Sequence, residues 1–454
     1  MAVTEPDRLT LVLRFADVGI ATYASLRIVG QPSRTVAWVI EEPILLAALE
    51  ELADALPEPR NAESRREAIG RALRHGRFAS PESELTLAYI LGVLLIGVSG
   101  WRLLTECIAF PRPVLFVSPS ARLARVPWGL LALPKSGPTK EELVQARHSA
   151  ITASGRAPAR IPWQLADIKD HTDGFRLMEV ADVFWAVPQN IVHAPRTPAI
   201  WHTRHDGPPL LVLDPRVPGQ RPDSPLGSVL GRPSDQTPLA RHFTQLLHRR
   251  AVQPQVTAAV ELFRRPDADR RWLAELLARQ PSRMLYVGHA SSADETGQAH
   301  RAALHFACTA DCPGDAEPIG NHRPLTAADL MALRLPMPPR VALIACASGG
   351  DYQFDEATGL VAAMILGGAQ LVTATLWSLP TTAAYRQFGT GTTEDTDPMA
   401  EVVAAVDEAH EAAEAGYAVN RWQRAQMRRW RDGTVTASPL YWGALATFAV
   451  DGAR

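Results

Sequence analysis

Two short stretches carry side chains suited to covalent chemistry: RMLYVGHAS, residues 283–291, and VALIACASGG, residues 341–350. Each is an apolar run that stops at a reactive group, His289 in the first and Cys346 in the second. A thiol titrates near 8.5, so it becomes an effective nucleophile at neutral pH only when an imidazole or a helix amino end raises its thiolate fraction. The same imidazole can then protonate a leaving amine. Gly288, Gly349 and Gly350 let the main chain approach a substrate closely, and amides at a strand-to-loop turn can point at a developing oxyanion. A cysteine, a histidine and an amide hole together make an acyl-transfer site. Taken alone, a cysteine ending an apolar run is ordinary packing, so the weight rests on the two groups arriving together.

Positioning both groups requires parallel strands. Short apolar runs recur at 113–119 (PVLFVSP), 210–214 (LLVLD), 283–289 (RMLYVGH), 341–346 (VALIAC) and 371–377 (LVTATLW). Helical patterns at 239–250, 268–280 and 359–366 lie between them. This alternation predicts an α/β fold, a mostly parallel sheet with helices on both faces, whose reactive groups gather at the carboxyl ends of the strands. The 57 residues from His289 to Cys346 leave room for a hairpin and a helix between neighbouring strands.

Ahead of this lies a small β-rich N-terminal region, residues 1–80: three strand-like runs between 9 and 41, then the helical pattern PILLAALEELADAL, its apolar residues spaced helically behind Pro43. A charged segment and Pro81 place a seam near residue 80. The rest, 85–454, reads as one larger domain: an amino-terminal half over 85–205, a partly Pro/Gly-rich loop over 206–238, and a catalytic half over 239–454. That loop and GTGTTEDTD at 389–397 read as surface loops, a lid or cleavable activation loop being the functional alternative.

The bulk composition excludes several classes. Charges nearly balance, 46 basic against 48 acidic side chains, so nothing draws the chain as a whole to nucleic acid or anionic membrane. Four cysteines in 454 residues do not make a disulfide scaffold, and MAVTEPDRL lacks a secretory pattern, so a cytoplasmic setting is expected. The uncharged run Leu85–Trp101 is shorter than the roughly 20 residues a membrane span needs and is expected to be a buried core helix. Two further constellations read as structural. His305, Cys308, Cys312 and His322 follow H-x2-C-x3-C-x9-H, which is no standard zinc finger, and the alternation in ALHFAC puts His305 and Cys308 on opposite faces of a strand. Arg421, Arg424 and Arg428, interleaved with Trp422 and Trp430, read as an ordinary surface helix rather than a grip on single-stranded nucleic acid.

The segments YVGHA (286–290), RPLTAADLMALRLP (323–336), VALIACASG (341–349), DEATGLVAAMILGGAQLVTATLWSLP (355–380) and SPLYWGALATFAVDG (438–452), with LFVSPSARLARVPWGLLALP (115–134) upstream, resemble the CHAT family of caspase-like domains. The resemblance runs in family order over residues 85–452. It implies a caspase-like fold and a cysteine peptidase of the caspase, separase and gingipain clan, with His289 as catalytic histidine and Cys346 as nucleophile. The backbone amides of Gly288 and Cys346 would be the oxyanion donors. No cofactor or metal is implied. The partners implied are a dedicated protein substrate and an activating protein, in bacterial settings often in defence or cell death.

The chain departs from true caspases in reading ACASG rather than QACxG, so aspartate specificity does not carry over. Asp351, just beyond the nucleophile, is the candidate substrate-pocket carboxylate, which would favour Arg or Lys before the scissile bond; Asp355 and Glu356 read as helix-start carboxylates. The alternatives are a catalytically silent caspase-like scaffold and another Cys/His acyl transfer such as deamidation.

Overall fold

Alternating apolar residues in the first 41 positions build three antiparallel strands, β1 (Thr10–Val18), β2 (Ala21–Ile28) and β3 (Gln31–Glu41). Leu11, Leu13 and Phe15 turn inward, while Gly19 and Gly30, at φ 60° and 80°, supply the left-handed backbone of the two tight turns. Strand β1 also pairs in parallel with β4 (Val114–Ser118), which pairs in parallel with β5 (Asp182–Ala186), for the order β3-β2-β1-β4-β5. The β-rich start and residues 114–186 therefore share one sheet. The computed structural model describes residues 8–109, 111–135, 140–153, 167–221, 224–293, 298–350 and 359–450. It divides into two compact units, Met1–Ala186 with Arg424–Pro439, and Val187–Gln423 with Leu440–Arg454.

In the first unit the apolar run at 85–101 lies within a longer helix, Pro81–Glu106, interrupted at Gly97 where φ is 63°. This is the one described helix long and apolar enough to cross a membrane, and 67% of its apolar window is buried within the chain. Its Glu84 is fully buried against Arg176 at 2.8 Å. The helix Ala415–Arg431 does not offer a row of exposed arginines: Arg424 is buried on Asp182 at 2.6 Å, and Trp430 is buried as well.

The second unit holds the parallel strands expected from the apolar runs. These are β6 (Leu210–Leu213), β7 (Arg283–Val287), β11 (Arg340–Ile344) and β12 (Leu371–Thr375), all parallel, with β13 (Leu445–Ala449) antiparallel at the end of the order β13-β12-β11-β7-β6. Every residue of these five strands is buried, as a sheet covered by helices requires. A small second sheet joins β8 (Ala290–Ser291), β9 (Ala303–Leu304) and β10 (Leu325–Thr326). Helices Pro238–Arg249, Arg270–Leu277 and Leu360–Leu366 stand where the periodicity predicts them. Asp397 caps the helix Pro398–Glu411 by accepting from Ala400 N at 2.9 Å.

That last helix ties the sheet down through polar contacts. Arg283 of β7 pairs with Asp407 and with Glu411 at 3.1 Å, and His242 Nε2 reaches Asp407 at 2.9 Å. Arg340 of β11 lies 3.5 Å over the Trp201 ring and donates to His410 O at 2.9 Å. Buried cations paired in this way anchor the amino-terminal ends of β7 and β11. Their opposite ends are where the chemistry is gathered.

Candidate active site

In the parallel pairing of β7 with β11, Val287 lies beside Ile344. His289 and Cys346 each follow two residues later, so they leave adjacent strands at equivalent positions. Adjacent strands lie about 4.8 Å apart, a spacing that lets an imidazole and a thiol meet across the sheet edge. His289 is 7% exposed, and Cys346 is half-buried.

The histidine is held at both its ring and its main chain. Its Nε2 lies 2.9 Å from Gly227 O. A carbonyl only accepts, so Nε2 carries a proton, and in the neutral ring Nδ1 is the nitrogen that can act as a base. The His289 carbonyl accepts from His305 N at 3.0 Å and from the Tyr286 hydroxyl at 2.7 Å. Burial drives the Tyr286 phenol well above its usual value, which keeps it a neutral donor. Gly288 must be small here, because a Cβ would stand 2.9 Å from the Tyr286 oxygen.

The cysteine loop is tied to β12. Ser348 Oγ donates to Leu343 O at 2.7 Å and accepts from Thr375 N at 3.1 Å, and the Thr375 hydroxyl reaches Ala345 O. Gly349 N donates to Thr375 O at 2.9 Å. Ala347, next to Cys346, has φ 47°, a left-handed conformation that a residue with a Cβ adopts at a cost. Asp214 and Arg264 also have φ near 50°, at 50° and 55°, so three of the six non-glycine residues with positive φ among those described cluster around this edge.

The amide hole is less simple than the glycines suggested. Gly288 N donates to Ile344 O at a long 3.3 Å, Gly349 N is engaged by Thr375 O, and Gly350 N by Ala347 O. An oxyanion bound by Gly288 would have to displace that long contact. The Cys346 amide sits in the turn directly after β11. Asp351, like Asp355 and Glu356, lies outside the described residues.

His305 and His322 are not arranged as the alternation in ALHFAC predicted. Strand β9 ends at Leu304, and His305, Cys308 and His322 are all buried. His322 Nδ1 faces Cys308 O at 2.9 Å and must donate to it, so its Nε2 accepts from His305 Nδ1 at 3.0 Å. His305 Nε2 in turn accepts from Ser291 Oγ at 3.2 Å. This chain closes with both rings neutral, and burial favours that state, pushing His305 down to about 3 and lowering His322. Among the described residues no group of three or more His, Cys, Asp or Glu side chains is gathered for a metal. The ring of His305 stands edge-on to His289, 6.4 Å between centroids, and forms part of the wall behind it.

Gly227, Asp214 and Arg264 carry polar contacts around His289 that were not singled out from sequence. Asp214 had the same signature as the two reactive groups, a polar residue ending an apolar parallel run (LLVLD). Gly227 could not be found this way, since it contributes only a carbonyl.

The CHAT domain family model matches residues 102–453, well over half of the chain. Two solved structures of the Saccharomyces cerevisiae separase–securin complex align with 97% of this chain, at 11% identity and TM-scores of 0.40 and 0.39. The chain spans about 30% of the length of the separase chain it matches. No curated protein matches it.

Proposed function

Because the chain belongs to the CHAT domain family, a family of caspase-like proteases, we propose that it is a cysteine endopeptidase working through His289 and Cys346. One observation carries the reading: the two groups leave adjacent parallel strands in matched register, with the imidazole proton held on Nε2 and the lone pair on Nδ1. An imidazole whose Nδ1 can accept a proton, at the end of the strand next to that of a half-buried thiol, fits proton abstraction from sulfur.

In this reaction His289 takes the Cys346 proton, and the thiolate adds to a peptide carbonyl to form an Sγ–C bond. Amides of the Gly288 and Cys346 main chain receive the negative oxygen. The C–N bond then breaks, and the leaving amine takes the proton from His289. Water, deprotonated by the same imidazole, adds to the thioester; the acid departs and the thiol is restored. Residues 85–454 would carry this peptidase, with a dedicated cytoplasmic protein as substrate and an activating protein as partner, in bacterial defence or cell death. Asp351 is the proposed pocket carboxylate, which makes Arg or Lys the preferred residue before the cleaved bond.

Incubation with a peptide acyloxymethyl ketone tests the chemistry directly. Covalent labelling is expected at Cys346, lost in Cys346→Ala and reduced about 10²–10⁴-fold in His289→Ala, the usual worth of a positioned acid–base. Labelling equal in wild type and His289→Ala would overturn the dyad.

A further inference from the structure

We infer that Asp214 and Arg264 are positioning residues for His289 and act on its ring through the carbonyl of Gly227; the inference rests on the His289–Cys346 dyad proposed above. The Gly227 carbonyl belongs to a loop, SPLGSVLG at 224–231, which lies outside helix and strand. Such a segment holds an acceptor in place only if something holds the segment.

Two side chains do so from either side of the carbonyl. Arg264 Nη1 donates to Gly227 O itself at 3.0 Å and to Asp214 Oδ1 at 3.3 Å. The other Asp214 oxygen accepts from Ser228 Oγ at 2.6 Å and from Leu230 N at 3.4 Å. A carbonyl oxygen has two lone pairs, so Gly227 O can take the Arg264 and His289 donors together. Asp214 is fully buried and the Arg264 side chain is 13% exposed, so this charged pair works where water competes little.

Both residues are also fastened to the sheet. Asp214 N donates to Val287 O, the last residue of the strand that delivers His289, at 2.6 Å. Arg264 N donates to Leu213 O at 3.1 Å. Asp214 thus grips the His289 strand with its main chain and the loop that holds the imidazole with its side chain. Both positions have left-handed backbone, at φ 50° and 55°, and strain of this kind persists only where surrounding contacts enforce it.

The ionisable groups around His289 are Asp214 at the end of β6, Arg264 beyond the loop, Tyr286 and Cys346 at the ends of β7 and β11, and His305 with His322 behind it. Because the carboxylate and guanidinium offset one another, their first effect on the imidazole is geometric: they keep Nε2 as the protonated nitrogen and fix the orientation of the ring.

The test is alkylation of Cys346 in the full chain by iodoacetamide, followed by peptide mass spectrometry as a function of pH. His289→Gln should move the pH midpoint of the rate upward from its wild-type position. Asp214→Ala and Arg264→Met should shift it the same way and slow alkylation at neutral pH about tenfold, with Arg264→Lys restoring most of the rate. A fold-only role would lower the melting temperature and leave the midpoint at the wild-type pH, which would overturn the inference while leaving the dyad intact. If Asp214→Ala does not fold, the isosteric Asp214→Asn must shift the midpoint for the inference to stand. A midpoint that His289→Gln leaves in place would sink the dyad and the positioning role together.

Discussion

Around His289, single atoms decide what the ring can do. Its ring answers to the Gly227 carbonyl and its main chain to His305 N and the Tyr286 phenol, so small changes nearby have defined consequences. Gly288→Ala would place a methyl 2.9 Å from the Tyr286 oxygen and push that hydroxyl off His289 O. Overpacking of this kind costs about 1–3 kcal/mol. A lowered denaturation midpoint is expected, together with slower labelling of Cys346, and Tyr286→Phe in the same chain should recover part of the stability by removing the clashing oxygen. Full wild-type stability in Gly288→Ala would show that the phenol does not fix this strand end. At this scale the sequence was legible for side chains that react and blind to those that only hold. His289 and Cys346 announce themselves by type and placement, whereas the Gly227 carbonyl has no side chain to read.

At the scale of elements, the site depends on β11 and β12 ending together. Ser348 is the cross-link: its hydroxyl donates to Leu343 O in β11 and accepts from Thr375 N in β12, and it is 1% exposed. Ser348→Ala leaves a buried donor and acceptor without that partner, which costs roughly 1–3 kcal/mol. Cys346 labelling should slow by more than the stability loss alone explains, because the turn carrying the thiol loses its tie to β12. Urea denaturation alongside labelling rates checks this; unchanged labelling with lowered stability would place Ser348 in the fold alone. Strands and helices of this half were readable because apolar runs of about five residues alternate with amphipathic helices. Of the ALHFAC run only Ala303–Leu304 pair as a strand, and from His305 the chain is irregular and wholly buried beside His322, so alternation in the sequence does not mark a ladder there.

Over the whole molecule, buried neutral histidines set an acid limit. His305 and His410 are both pushed down to about 3, first by burial, against an ordinary value near 6.5. The unfolded chain therefore binds protons on these groups at a pH where the folded chain does not. Their contribution to stability is complete above pH 6.5 and is lost progressively as pH falls from there to about 3, by at most ~1.4 kcal/mol per pH unit for each ring. Denaturation midpoints should fall between about pH 7 and pH 4, and a midpoint constant over that range would contradict the neutral assignment.

What the sequence by itself determined is local: apolar runs that become parallel strands, and the reactive residues that end two of them. Order among strands was a tertiary decision. The pairing of β1 with β4 and of β7 with β11 joins segments roughly 100 and 57 residues apart, and no local periodicity encodes which ladder satisfies which backbone groups. The same reason hid the hold on His289, since Asp214, Gly227 and Arg264 lie 75, 62 and 25 residues before it and meet it only where the sheet edge closes on the loop.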